Sequence, residues 1–236
     1  MKTLWLVIVC LAAATCTSVV AADESKAVSQ LEKATSVLNE VMATPDKAIP
    51  GDLLNKAVCV GIVPAEIRIA VGIGGTYGRG VLVCRRHGNG PWGAPSLFRL
   101  GGANIGFQLG GKATDVVFLV MNASGAKKLV ADDVKLGADA SATAGPVGRT
   151  AEGATDAQLH AEILSYSRTK GLFAGVSLEG AVFKQDAENN RKLYGHKVEP
   201  KQILIESSVR TPVAARPLDN ALAKYSPRGG APFSRS

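Results

Sequence analysis

From Val58 to Met121 the chain repeats apolar residues at a period of two and interrupts the pattern with glycine clusters. That spacing puts apolar side chains on one face of an extended strand and fits no helix. Candidate strands span 58–63, 67–73, 76–86, 96–99, 103–109 and 115–121, with HGNGPWG and LGG as turns, the layout of an antiparallel meander. A helix at 123–130 follows, then two long strands near 157–168 and 172–184 joined by a turn at Lys170-Gly171. Helices at 187–194 and 200–206 close the pattern. Ahead of the sheet, Val28, Leu31, Thr35, Leu38 and Met42 form one stripe of an amphipathic helix over 24–43, and Pro50 opens a short second helix. The expectation is an α+β domain: an antiparallel, glycine-kinked sheet or partial barrel with N- and C-terminal helices packed on it.

The first 22 residues have Lys2, an apolar core from Leu4 to Ala14 and small residues before Asp23, which predicts a secretory signal peptide. Cys16 offers a second reading as a lipoprotein anchor, but Thr15 is larger than the residue that usually precedes a lipidated cysteine. The predicted organisation is a signal peptide at 1–22, one domain at 23–225 and a disordered basic tail at 226–236, in a protein secreted or periplasmic and peripheral to a membrane. Without Lys2 the formal charge of +7 becomes +6, and from Ser207 onward five basic residues face only Asp219. Such a tail is either a solvated end or a hold on an anionic surface. Cys59 and Cys84 sit in the apolar runs AVCVGIV and GVLVCRR. They are either a cross-strand disulfide or two buried thiols, because bridging depends on Cβ geometry that spacing does not give.

Motifs of catalysis and of nucleotide binding fail on context. GFQLGGK at 106–112 has the glycine and lysine spacing of a phosphate loop, yet Ala113 stands where the magnesium-binding hydroxyl belongs and a strand follows where a helix is required. His87, His160 and His196 stand at unrelated spacings, and no Gly-x-Ser-x-Gly elbow occurs. With 5% aromatic residues there is no stacking platform for nucleic acid. No enzyme activity and no cofactor are expected.

KGLFAGVSLEG at 170–180, preceded by SYSRT, resembles the signature of the SYLF lipid-binding domain family. WGAPSLFRLGGANIGFQLGGKATDVVFLVMN at 92–122, GPVGR at 145–149, ENNRKLYG at 188–195 and the entry segment AIPGDLLNKA resemble further family motifs in the same order, so the likeness is collinear from about residue 24 to 225. It implies binding of phosphoinositides or other anionic phospholipids at membranes, with actin binding and bundling in fungal members. With its signal-peptide pattern and single domain, the chain resembles secreted bacterial-type members of the family. In animal members a lysine-rich N-terminal helix carries lipid contact; here that helix has Lys26 and Lys33 against Glu24, Glu32 and Glu40. The resemblance leaves Lys26, Lys33, Arg85, Arg86, Arg168 and Lys170 as lipid-binding candidates. The partner it implies outside the cytosol is an anionic lipid or membrane surface, and the alternative is an envelope protein-interaction or structural module.

Overall fold

The computed structural model describes residues 26–43, 49–64, 76–102, 114–131, 133–147, 160–169 and 172–227. The expected strands at 67–73 and 103–109, the GFQLGGK segment, the turn at Lys170-Gly171 and the signal-peptide segment lie outside these residues.

Helix α1 (26–42) buries Ala27, Leu31, Ala34, Leu38 and Val41, an unbroken series of four- and three-residue steps. The predicted stripe is one shoulder of this face, with Val28, Thr35 and Met42 only half-buried. The strands are β1 (Cys59–Val63), β2 (Thr76–Arg85), β3 (Trp92–Gly102), β4 (Asp115–Val120), β5 (Val134–Lys135), β6 (Ala142–Ala144), β7 (Ile163–Thr169), β8 (Leu172–Gly175) and β9 (Val182–Gln185). Among the described residues the α-helices after α1 are α2 (Gly51–Lys56), α3 (Ala123–Leu129), α4 (Ala187–Tyr194), α5 (Pro200–Leu204) and α6 (Arg216–Tyr225).

The strands run β5-β9-β3-β2-β1-β4-β7-β6 across one sheet, and β8 also pairs with β7. Every pairing between these strands is antiparallel except β6 with β7. The result is α+β, with a mostly antiparallel sheet curled into a half-barrel and flanked by helices. β1 is buried at all five positions because both of its faces are covered, so its sequence is a continuous apolar run. On one face Val60, Ile62, Val81, Val83, Leu97 and Val117 pack under α1, α2 and α6. On the other, Phe98 stacks on Phe183 at 4.5 Å and meets Phe118 edge-on at 5.6 Å, and α3 and α5 close over them.

Three differences from the sequence pattern have physical causes. The expected strand 172–184 divides into β8 and β9, since β8 pairs with β7 while β9 pairs with β3 on the far side of the sheet. Strands β5 and β6 have two and three residues, too few to show a period. Helix α6, in the basic C-terminal stretch, buries Leu218, Ala221 and Leu222 and anchors that stretch to the core. Ser226, assigned by sequence to a disordered tail, is fully buried, so the folded body reaches at least that residue.

Candidate anion-binding face

Alternation along β2 and β3 decides where their arginines go. On β2, Arg79 shares a side with Val81 and Val83; on β3, Arg99 shares a side with Leu97. Those apolar neighbours lie under α1, so the arginines emerge on the same face just past the start of the helix. The register sets Arg79 opposite Arg99, and Arg99 opposite Lys184 of β9. Directly paired residues point the same way, so three cationic side chains form a row across three adjacent strands, their Cβ atoms about 5 Å apart from one strand to the next. Gln30 of α1 donates to the Arg79 carbonyl at 2.6 Å and brings the start of the helix to the row. There Lys26, Gln30, Arg79, Asp186 and Asn189 enclose a hollow of about 20 Å³, room for a single water molecule.

The row is partly neutralised. Arg99 donates to both carboxylate oxygens of Asp186, at 2.9 and 2.8 Å, and Lys184 pairs with Asp133 at 2.9 Å. Burial opposes ionisation of Asp186, yet the hydrogen bonds from Arg99 and Asn189 outweigh it and hold the carboxyl below its ordinary range. Arg79 donates to the hydroxyl of Tyr77, a bond that raises its own pKa, and forms no ion pair with a carboxylate among the described residues. Planar guanidinium groups on neighbouring strands suit the tetrahedral oxygens of a phosphate.

Of the six residues singled out by sequence, only Lys26 joins this row. Lys33 is exposed two turns further along α1. Arg168 is held by Asp115 at 2.8 Å and by Glu40, and so ties β7 to α1. Arg86 is half-buried at the other end of β2, and Lys170 lies outside the described residues. Arg85 departs most from an exposed strand end: it is 2% exposed. Its guanidinium donates to the carbonyls of Ala57, Gly90 and Ser226 at 3.2, 3.2 and 3.1 Å and lies 4.0 Å from the centre of the Trp92 ring. Burial lowers its pKa to about 10, so it stays charged at neutral pH. Sequence reasoning missed Arg79, Arg99 and Lys184 because only the strand register brings them together. Cys59 and Cys84 face each other across β1 and β2 and are joined as a disulfide.

The motifs singled out by resemblance are fold devices. Asn190 of ENNRKLYG donates to the Leu97 carbonyl and to Ser96 Oγ and accepts from the Leu97 amide, docking α4 on WGAPSLF. The Tyr194 hydroxyl donates to the Pro95 carbonyl at 2.6 Å, and Trp92 Nε1 donates to the Ser226 carbonyl at 3.0 Å. Gly145 of GPVGR and Gly175 of the SYLF-like signature meet so closely that a Cβ on Gly175 would stand 2.2 Å from the Gly145 carbonyl oxygen. A Cβ on Gly145 would in turn enter the ring of Tyr166, which stacks on Phe173 at 5.4 Å. The signature hairpin therefore seals one end of the sheet.

Residues 101–225 match the family model described as "Ysc84: Las17-binding protein actin regulator". Among relatives, "LAS seventeen-binding protein 3" of Saccharomyces cerevisiae is 36% identical over 216 residues, which are 86% of this chain and 46% of that protein. "SH3 domain-containing YSC84-like protein 1" of Homo sapiens is 32% identical over 212 residues, 85% of this chain and 61% of that protein. The chain thus spans about half the length of the curated relatives it matches. With the family model covering more than half of the residues, and a relative 36% identical over 86% of the chain, this chain belongs to the Ysc84 family, the SYLF family its sequence resembles.

Proposed function

We propose that the chain is an exported, non-enzymatic domain that binds anionic, phosphoinositide-like phospholipid headgroups at a membrane surface. The observation that carries this reading is the row Arg79–Arg99–Lys184, with Lys26 beside it, on a sheet face that α1 leaves open. Exposed cations on a rigid sheet meet a charged surface without first ordering a loop. The signal-peptide pattern of residues 1–22 supports export. Helix α1 uses its apolar face in the core, so lipid contact through this helix falls to its exposed basic side chains.

Co-sedimentation of residues 23–236 with vesicles of graded anionic content tests the reading. Binding should rise with anionic lipid and fall with salt, because screening at about 0.1 M already limits exposed charges to about 10 Å. Arg79→Glu together with Lys184→Glu should abolish that binding, while Lys33→Glu should leave most of it. Equal binding to neutral vesicles, or an unchanged double variant, rejects the reading.

The relatives named LAS seventeen-binding protein 3 support a second reading, a protein-interaction module. Retention of a protein partner by the double variant that no longer binds vesicles favours it.

A further inference from the structure

Strand β2, which carries Arg79 of the cationic row near one end, helps floor a pocket at its other end. Val58, Cys59 and Cys84 form its floor, Ala126 of α3 one wall, and Leu204 and Ile205 at the end of α5 the opposite wall. Its volume is about 180 Å³, slightly larger than the roughly 150 Å³ apolar cavity that takes a benzene molecule in an engineered protein. Such walls give water few partners and an apolar chain many contacts.

The mouth is polar and of one sign. Lys127 is exposed on α3 and forms no ion pair among the described residues. His87 reaches the mouth from a turn in which both His87 and Gly88 have left-handed backbones, with φ of 55° and 83°. Few non-glycine residues take that conformation, and those that do cluster at functional sites. Arg85 adds positive potential from below, although its own donors are committed to carbonyls. No carboxylate lines the pocket among the described residues.

From these features we infer a binding site for a monomeric single-chain carboxylate amphiphile, its chain against the disulfide floor and its carboxylate between Lys127 and His87. The volume admits part of one chain and excludes a two-chain lipid. From Arg79 to Arg85 is six residues of strand, about 20 Å, so a bilayer held on the cationic row leaves the pocket facing away. The ligand therefore enters from solution, and this inference stands or falls apart from the headgroup reading.

Isothermal titration of residues 23–236 with decanoate below its micelle concentration, and in parallel with decanol and decyltrimethylammonium, tests it. Saturable binding of one decanoate per chain is expected, tighter than decanol, with decyltrimethylammonium weakest. Ala123→Trp, at the exposed first residue of α3 on the pocket rim, should remove the binding with the circular dichroism spectrum unchanged. Lys127→Glu, also exposed, should weaken decanoate about tenfold and strengthen the cationic amphiphile. No saturable binding, or decyltrimethylammonium binding as tightly as decanoate, overturns the inference. Vesicle co-sedimentation of Ala123→Trp should match the wild type, whereas failure of the headgroup reading registers only in the vesicle assay of the Arg79 and Lys184 variants.

Discussion

The β2–β3 hairpin carries arginines at both ends, and the two ends treat them in opposite ways. At the Arg85 end the guanidinium is sealed beneath Trp92 and faces three backbone carbonyls. At the Arg79 and Arg99 end the same group stands in solvent or against a single aspartate. The difference lies in acceptors brought from elsewhere in the chain. A buried cation is tolerated where carbonyls replace its water shell, and otherwise it remains at the surface, available to an external anion.

Breaking the buried end should have the largest effect. Arg85→Met leaves the carbonyls of Ala57, Gly90 and Ser226 without their donor and should lower the free energy of unfolding, measured in urea, by about 3 kcal/mol. A loss below about 1 kcal/mol would mean that water replaces the guanidinium and that the end is not sealed. The same end carries the disulfide, whose cysteines are 25 residues apart; opening it with a reductant should cost a similar amount, about 3 kcal/mol by loop entropy. An unchanged urea midpoint after verified reduction would show that strand pairing alone holds β1 to β2.

The Arg99 end is sharpened by acid. Its partner Asp186 has a folded-state carboxyl pKa below the ordinary 3.8, so the stabilisation it gives is complete above about pH 4 and fades as the pH falls through the lower, folded value. Asp186→Asn should cost about 2 kcal/mol at neutral pH through the lost charge-assisted bonds and helix cap, and should flatten the acid limb of a stability profile. An acid limb as steep as that of the wild type would assign acid sensitivity to another carboxylate. The smallest effect belongs to Arg79→Ala, which should change stability by less than about 0.5 kcal/mol while weakening vesicle binding. Loss of stability and binding together would make Arg79 a structural residue.

The contrast also explains what could be read in the sequence. Helix α1 and the overall α+β class follow from local periodicity and β1 from a short unbroken apolar run, signals the chain carries within a few residues. Leu218, Ala221 and Leu222 of α6 stand at helical spacing after Pro217, so that signal was present within a segment whose charge suggested a tail. Arg85 was not legible: nothing near it in sequence announces an acceptor at Ser226. Nor was the row Arg79–Arg99–Lys184, since Lys184 joins through the pairing of β9 with β3, a contact between strands far apart in the chain. The glycines of the signature were visible, but their use became clear only when Gly145 met Gly175.

The bond between Arg85 and Ser226 spans 141 residues, and the Ser226 hydroxyl also lies 2.8 Å from Asn55 Oδ1. A growing or threading polypeptide can pair β2 with β3 early, yet Arg85 lacks its last acceptor until Ser226 has been delivered. Contacts of such long separation slow folding. Completion of this fold is therefore timed by the arrival of Ser226, and truncations a few positions short of it should stall as loose, protease-sensitive intermediates.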